Sequence, residues 1–234
     1  MRDLLLGVIR NKTLYRANNA QRDKADAEYK AVRPGIMKRD RYQCVYCGYE
    51  SRESNECHHL DGDHANNAED NLVCVDDLCH ATNHIGQQSL KDSPLASDGI
   101  RAVTSLAAIP ELTQQDVNLL QRAIGAAMQD PDEAPLADQI FKVLVSRTSP
   151  VKVAFAHCDG ANFAAGLARL NDDEYERREE VIGDLRVVFR PDAVASAGKK
   201  FLREHSALPF VGWSGLYESM SKRSRGSAGS DGGR

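Results

Sequence analysis

The residues of this 234-residue chain that could do chemistry are concentrated in one stretch, residues 44–86. It holds five of the six cysteines and five of the seven histidines. Cys44 and Cys47 form a C-x2-C knuckle, and Cys74 and Cys79 follow later in the same stretch. Four thiolates with this spacing can close a tetrahedral structural zinc site. The sequence therefore predicts that these four cysteines bind Zn2+.

A second group of ligands, all histidines, lies inside the first. His80 and His84 are four residues apart, so on a helix their imidazoles lie on one face, about 6 Å apart, and can share a cation. His58 and His59 are adjacent, and in a strand they point to opposite faces. One of them can therefore bind a metal while the other stays free to take a proton. Such an arrangement is what a hydrolytic metal site requires.

At these residues the sequence resembles the HNH, or ββα-metal, family. In that family a histidine pair ends a strand, an asparagine follows, and a helix opens with Cys-His and carries a second histidine one turn on. The resemblance implies that His58, His80 and His84 hold Mg2+ or another divalent metal. It also implies that His59 is the general base that activates water, and that Asn71 holds this base in its productive orientation.

One departure from that family concerns the fourth zinc ligand. The zinc-bearing members usually read N-L-x-x-L-C-x-x-C-H, whereas here Asp76 stands where the third cysteine is expected. Cys74 lies two residues earlier, on the same side of an extended chain, and thiolate is a softer ligand than carboxylate. We therefore favour Cys74, with Asp76 in a Cys3Asp site as the alternative and Cys57 as a competitor.

A narrower resemblance is carried by the strings CVYCGY, HHLDGDHANN, NLV, LCH and HIG, and by IPELTQQDVNLLQRAI at residues 109–124. Over residues 30–125 the sequence is similar to the IcmJ (DotN) family of type IVB (Dot/Icm) secretion systems. The resemblance implies a zinc-binding subunit of the coupling-protein complex. Its partners would be the extended tail of the coupling ATPase and other secretion-complex subunits, without membrane insertion. Nuclease activity is not the accepted role of that family.

Charge is distributed unevenly along the chain. Residues 1–41 carry eleven Lys and Arg against five Asp and Glu, whereas residues 50–84 carry one Arg against nine Asp and Glu. An acidic surface around the histidines repels phosphates and opposes nuclease activity. Three functions stay open: a docking module for the coupling ATPase, which we favour, a metal-dependent HNH endonuclease that hydrolyses DNA phosphodiester bonds, and a zinc-finger-like nucleic-acid binder.

The composition, 41% hydrophobic and 27% charged, is typical of a soluble globular protein. No run of eighteen apolar residues is present, and the N-terminal residues lack the apolar length and cleavage site of a signal peptide. We expect a cytoplasmic protein, held by its partners at the inner face of the inner membrane. Thiols stay reduced in that compartment, which favours metal binding over disulfides.

The sequence predicts an α+β fold with four regions, one of which positions these ligands. A basic N-terminal arm at residues 1–29 precedes a zinc-stapled ββα-metal core with flanking helices at residues 30–90. A mainly helical C-terminal region follows at residues 91–220. The Gly/Ser-rich tail at residues 221–234 is predicted to be disordered.

Local patterns predict individual elements. Residues 16–33 predict a helix that ends before Pro34, with a short second helix from Pro34 to Asp40. Thr113 and Asp116 predict a capped helix that runs to Met128. Helices are also predicted at residues 136–147 and 192–203, a strand at residues 181–189, and a strand or the start of a helix at residues 151–158. Asp61 and Asp63 are predicted to form Asx turns. We expect structural roles for His157 and Cys158, and an aromatic ending with Trp213 and Tyr217.

Overall fold

The computed structural model describes residues 2–10, 22–85, 104–154, 160–207 and 209–212. Within these ranges the chain has a mixed α+β fold, as the sequence predicts. Two antiparallel sheets of two strands each are packed against helices. The first sheet carries the cysteine and histidine cluster, and the second lies in the C-terminal half.

The helices and strands follow one another in this order. The N-terminal half contains α1 (Arg22–Arg39), β1 (Glu56–His59), β2 (Leu72–Val75) and α2 (Asp77–Asn83). The C-terminal half contains β3 (Thr104–Ala108), α3 (Gln114–Ala127), α4 (Ala134–Ser146), α5 (Thr148–Ala154), α6 (Gly160–Leu167), α7 (Asp172–Glu176), α8 (Glu179–Ile182), β4 (Leu185–Phe189), α9 (Pro191–Glu204) and a 3-10 turn at Phe210–Gly212.

Helix α1 differs from the prediction. It is continuous, with Pro34 inside it, so the predicted end before this proline and the separate short helix are wrong. Proline removes one hydrogen bond from a helix interior and normally bends or breaks the helix. Here Ile36 and Met37, just beyond the proline, are buried against the first sheet. This tertiary packing holds the last turn of α1 in place.

The two faces of the first sheet pack against different partners. Cys57 lies opposite Cys74 in the ladder, and His58 lies opposite Val73. Because side chains alternate along a strand, Cys57 and Cys74 share one face of the sheet. That face packs under α1, against Ile36 and Met37. The other face carries Val73 and Val75, which pack with Cys44, Cys47 and Cys79.

The C-terminal half is organised around a large apolar core. Leu106 of β3 lies opposite Val187 of β4, and both strands contribute to this core together with α2, α3, α4 and α9. Helix α3 begins with the predicted capping box of Thr113 and Asp116. Helices α4 and α9 lie close to their predicted ranges. Strand β4 starts later than predicted because residues 179–182 form α8, and β3 was not predicted.

Helix α3 closes one edge of the second sheet. The side-chain oxygen of Gln114 accepts a hydrogen bond from the Val187 N–H at 2.7 Å, and that of Gln121 accepts one from the Phe189 N–H at 2.7 Å. Both amide groups donate back to the Val187 carbonyl, at 3.2 and 3.3 Å. The outward groups of β4 are thus paired with buried side chains, and strand addition at this edge is blocked.

Helices α3 and α9 approach each other closely at two glycines. A Cβ on Gly125 would lie 1.9 Å from the Val194 carbonyl oxygen, and a Cβ on Gly198 would lie 1.9 Å from the Gly125 carbonyl carbon. Only residues without a side chain allow this backbone distance. The close contact places α9 where Lys200 can reach the N-terminus of α2.

Residues 2–10, which we call the N-terminal strap, link the two halves without regular secondary structure. On one side, the Gly7 N–H donates to the Thr82 carbonyl at 3.1 Å, next to α2. On the other, the Val8 N–H donates to the Tyr175 hydroxyl at 3.0 Å, and Arg178 donates to the Leu6 carbonyl at 2.8 Å. The strap therefore joins α2 to α7.

Several predictions concern residues outside the described ranges. They are the predicted roles of His157 and Cys158, the aromatic ending with Trp213 and Tyr217, and the tail at residues 221–234. Of the segment 151–158, residues up to Ala154 belong to helix α5.

Candidate metal centres

The first candidate centre is a group of three buried cysteines. Cys44 and Cys47 lie in the turn before β1, where Gly48 has a φ of 74° and lets the chain fold back, so that its N–H donates to the Cys44 carbonyl. Cys79 lies in the first turn of α2. The three sulfur atoms lie within 4.8 Å of one another. This is the geometry of three ligands around one metal ion.

Hydrogen-bond donors converge on these sulfurs. Hydrogen bonds from the Cys47 and Cys79 thiols, and from the backbone N–H groups of Cys47 and Asp76, lower the pKa of Cys44 to about 3. The Asn118 amide also donates to the Cys79 sulfur, at 3.4 Å. These donors stabilise one thiolate, that of Cys44, whereas the hydrogen bond with Cys44 raises the pKa of Cys47 and burial raises the pKa of Cys79. The buried thiol cluster therefore suits a soft cation such as Zn2+.

Cys74 is not brought into this group. Its thiol packs on the α1 face of the first sheet, among Cys57, Leu72, Ile36 and Met37. Burial raises the pKa of Cys74 to about 12, so the thiol stays protonated. The sequence argument placed residues 74 and 76 on the same side of an extended chain. That argument does not hold, because strand β2 ends at Val75 and Asp76 is the N-cap of α2.

Asp76 lies beside the three cysteines instead. It is the N-cap of α2, and its carboxylate accepts a hydrogen bond from the Cys79 N–H at 3.3 Å. Its own N–H donates to the Cys44 sulfur. Burial raises the pKa of Asp76 to about 8, and the nearby Asp77 and Cys44 act in the same direction. A cation at this position would favour the ionised carboxylate.

A buried ion-pair network connects this centre to the C-terminal helices. The Arg122 guanidinium of α3 forms ion pairs with both Asp76 and Asp77, the latter at 2.7 Å, and lies 4.0 Å from the centre of the Tyr49 ring. Lys200 of α9 reaches Asp77 at 2.9 Å. Although burial opposes it, the charges of Arg122 and Lys200 hold the pKa of Asp77 below its usual range. Sequence reasoning missed this network.

The second candidate centre is the predicted group of three histidines. Ring nitrogens of His58, His80 and His84 lie within 4.8 Å of one another. Nε2 of His84 is 3.3 Å from Nδ1 of His58, and the three ring centres are separated by 4.8 to 5.0 Å. Strand β1 supplies the first imidazole, and the end of α2 supplies the other two. These three nitrogens fit one divalent cation.

Glu56 orients one of these histidines. Its carboxylate contacts Nδ1 of His80, which leaves Nε2 of that ring as the nitrogen for a metal. The sequence analysis did not single out this residue. The signal was present, because Glu56 is two residues before His58 and therefore lies on the same face of β1.

His59 points away from that centre and has a polar environment of its own. Nε2 of His59 lies 3.0 Å from the side-chain oxygen of Asn67, and its ring stacks on Tyr29 at 5.5 Å. Because the amide oxygen only accepts, this contact keeps the proton on Nε2 and leaves Nδ1 as the basic nitrogen. Burial lowers the pKa of His59. The imidazole is thus held neutral, as a general base must be.

Asn71 lies in the loop after His59 without contacting it. Its amide donates to Asp61 at 2.9 Å and to the Asn66 carbonyl at 2.8 Å. The side-chain amide that contacts His59 is therefore that of Asn67 and not that of Asn71. Asp61 and Asp63 make the predicted Asx turns, accepting from backbone N–H groups two residues on at 2.8 and 2.9 Å.

A cleft of about 400 Å3 opens beside the histidines. His58, His59 and His84 line one wall, and the N-terminal strap and α7 line the other. Arg10 from the strap and Arg178 lie on either side of the Tyr175 ring, at 4.8 and 4.1 Å from its centre. The two histidines of β1 thus both reach a space that could hold a small ligand.

The described residues define an α+β protein with two candidate metal-binding groups, one of thiols and one of imidazoles. No family model matches the chain. The chain is 28% identical over 171 residues to the Type 4 apparatus protein DotN of Legionella pneumophila, and the match covers 70% of this chain and 75% of that protein. The similarity to DotN therefore extends over most of both proteins.

The chain also matches proteins of a different kind, over a smaller share of their length. The chain is 29% identical over 109 residues to the Leu/Ile/Val-binding protein of Citrobacter freundii, covering 46% of this chain and 28% of that protein. The corresponding protein of Escherichia coli K12 is 28% identical over 133 residues, covering 56% of this chain and 33% of that protein. These matches span a third or less of the proteins concerned.

Among the described helices, none has both the length and the apolar character needed to span a membrane.

Proposed function

We propose that this protein is a zinc-binding, HNH-like subunit of a type IVB secretion coupling-protein complex and acts as a docking module for the coupling ATPase. The observation that carries the proposal is the similarity to DotN over three quarters of that protein's length. The similarity covers a far larger share of DotN than of the amino-acid-binding proteins. We place its site of action in the cytoplasm, at the inner face of the inner membrane.

In this proposal Cys44, Cys47 and Cys79 hold a structural zinc ion, and Asp76 is the fourth ligand in place of Cys74. The convergence of the three sulfurs supports the thiolate ligands. Asp76 is proposed as the fourth ligand because it is buried and accepts a hydrogen bond from the Cys79 N–H, although its carboxylate oxygens do not lie within 4.8 Å of all three sulfurs. Three thiolates and a carboxylate leave a net negative charge after zinc binding. The buried guanidinium of Arg122 offsets part of it.

A docking module stabilised by zinc requires a rigid structure and does not require a catalytic site. The Arg122 network and the N-terminal strap both attach the cysteine centre to the C-terminal helices. Metal binding would therefore order the surfaces of both halves, and an extended tail of the ATPase would meet a preformed surface. The acidic residues around the histidines make that surface unfavourable for nucleic acid.

A second candidate function is metal-dependent hydrolysis of DNA phosphodiester bonds. One observation favours it: His58, His80 and His84 meet in a group that opens on a cleft, and the neutral His59 lines the same cleft. A divalent cation held by the three histidines would polarise a phosphate oxygen and lower the pKa of water. Nδ1 of His59 would then take the proton of the attacking water.

One pair of measurements separates the two functions. The full chain, as wild type and as His59→Ala, is tested for plasmid nicking with Mg2+ and with Mn2+ and for co-purification with the C-terminal tail of the coupling ATPase. For a docking module we expect no nicking by either form and equal binding of the tail. Metal-dependent nicking by the wild type that disappears in His59→Ala would assign the nuclease function instead. Absence of tail binding by a well-folded wild type would refute docking.

A further inference from the structure

We propose that Cys57 and Cys74 form a reversible, redox-sensitive disulfide between β1 and β2. Neither residue belongs to the metal centres described above, and both are free cysteines. They are direct partners in the antiparallel ladder, and their side chains pack in the same apolar cluster under α1. The proposal is independent of the docking function and of the zinc ligands.

The register of the ladder places the two cysteines at a position where a disulfide fits. The Leu60 N–H donates to the Asn71 carbonyl at 2.9 Å, so residues 60 and 71 form a hydrogen-bonded pair. Hydrogen-bonded and non-hydrogen-bonded pairs alternate along an antiparallel ladder, which makes Cys57 and Cys74 a non-hydrogen-bonded pair. Such pairs have Cα atoms about 4.5 Å apart, with side chains on the same face. That separation lies within the range of natural disulfides, about 4.4–6.8 Å.

The surroundings decide which oxidant can reach the pair. Cys57 is 5% exposed and Cys74 is 0% exposed, so only a small oxidant such as hydrogen peroxide has access, and it meets Cys57 first. Attack of the Cys57 thiolate on the peroxide breaks the O–O bond and gives a sulfenic acid and hydroxide, which takes up the proton released by the Cys57 thiol and becomes water. Attack by the Cys74 sulfur then forms the S–S bond and releases a second water. In total, two thiols lose two protons and two electrons, and one peroxide becomes two waters.

Burial makes this reaction slow and selective. Both sulfurs are almost completely covered by neighbouring side chains, so an oxidant reaches them slowly. A thiol of this kind resists brief exposure to oxidant. Once formed, the bond closes the loop at residues 58–73, which carries His58, His59 and the Asx turns. The disulfide would therefore hold the first sheet together independently of zinc.

Peptide mapping of the full chain tests this pairing. The as-purified folded protein is treated with hydrogen peroxide, its remaining thiols are alkylated, and it is digested after glutamate and before aspartate. Cys57 is then released in residues 57–60, Cys74 in residues 70–75 and Cys79 in a separate peptide. We expect the linked pair 57–60 with 70–75 to be the dominant cross-link and to disappear after reduction with dithiothreitol. Cys57→Ala and Cys74→Ala should each abolish it.

Thermal unfolding distinguishes a native disulfide from one trapped in an unfolded chain. A bond that fits the native register should raise the unfolding midpoint of the oxidised protein by roughly 5–10 °C, and reduction should reverse the rise. The proposal is overturned if oxidised protein carries the link but unfolds at a lower temperature than reduced protein. It is equally overturned if Cys57 links mainly to Cys79, or if the link forms only in urea.

Discussion

Both sheets consist of two antiparallel strands, but different kinds of side chain are buried against them. The β3–β4 sheet is covered by a large apolar cluster that includes Leu106, Val187 and Phe189. The β1–β2 sheet is flanked by two small clusters in which cysteines replace much of the aliphatic packing, and charged groups lie buried beside them. Hydrophobic burial by itself can stabilise the region around the β3–β4 sheet.

The difference between the sheets assigns different sources of stability to the two halves of the molecule. In the N-terminal half, thiols, imidazoles and carboxylates share the interior with smaller apolar clusters, and a cation at the proposed metal sites would stabilise their charges. Mutations that remove a ligand or a counter-charge should therefore be severe in the N-terminal half. In the C-terminal half, changes in packing should dominate. Four predictions test this division, and we order them by the size of the expected effect.

The largest effect is expected for Cys79→Ala. Zinc–thiolate sites contribute on the order of 10 kcal/mol to folding, so the variant should lose its zinc and become insoluble or protease-sensitive. The matched control is Cys74→Ala, at an equally buried cysteine in the adjacent strand β2. It should keep its zinc and lose about 1 kcal/mol of packing. Elemental analysis measures the zinc content of both variants. Loss of zinc in Cys74→Ala would show that Cys74, and not Asp76, is the fourth ligand.

The next effect is expected for Arg122→Met, which leaves Asp76 and Asp77 buried without their main counter-charge. Removing one partner of a buried ion pair costs about 3–5 kcal/mol. Lys200→Met is the control, because its side chain is 34% exposed and its pairing with Asp77 is screened by solvent. Urea unfolding followed by circular dichroism gives both values. Equal losses for the two variants would show that the buried guanidinium has no special role.

Gly125→Ala tests the C-terminal half, where no charge is involved. The added methyl group would meet the Val194 carbonyl oxygen at 1.9 Å and push α9 away from α3, which we expect to cost about 1–3 kcal/mol. Gly166→Ala is the control, because a Cβ there has no neighbour within 4 Å. That variant should be neutral or up to about 1 kcal/mol more stable. A thermal shift that is the same for both would contradict the close helix contact.

The smallest effect on the fold is expected for Glu56→Gln. Loss of a carboxylate that orients a metal-binding histidine typically weakens metal affinity about 10–100-fold. Titration of the zinc-loaded chain with Co2+ should show this weakening while zinc content and unfolding midpoint stay unchanged. Glu53→Gln, at an exposed glutamate just before β1, is the control. If Co2+ affinity is unchanged in Glu56→Gln but binding is lost in His80→Ala, Glu56 does not orient His80 for metal binding.

Sequence patterns predicted the features that depend on local spacing. The capping box of Thr113 and Asp116, helices α3, α4 and α9, and the closeness of His80 to His84 follow from the spacing of residues along one element, whereas the family resemblance added His58 to the histidine group. Their geometry is decided by neighbours in the chain. The α+β class follows from the same patterns.

Features that depend on distant parts of the chain could not be predicted in this way. The helix through Pro34 exists because α1 packs on a sheet formed by later residues. The exclusion of Cys74 depends on where β2 ends and α2 begins, since one residue changes the face of a strand side chain. The pairing of Arg122 with Asp76 joins residues 46 positions apart, and no local pattern indicates it.

The N-terminal strap has a consequence for the order in which the chain is made. Its residues are synthesised before α7 and α8, yet Leu6 and Val8 bond to Arg178 and Tyr175, which are 172 and 167 positions later. At about 5–20 residues per second, translation delivers these partners roughly ten to thirty seconds after the strap. During that interval the strap has no partner on α7, and the cleft beside the histidines lacks one wall. Completion of the cleft therefore waits until residues 175–178 have left the ribosome, and ribosome-bound chains shorter than about 175 residues should leave the strap open to proteases.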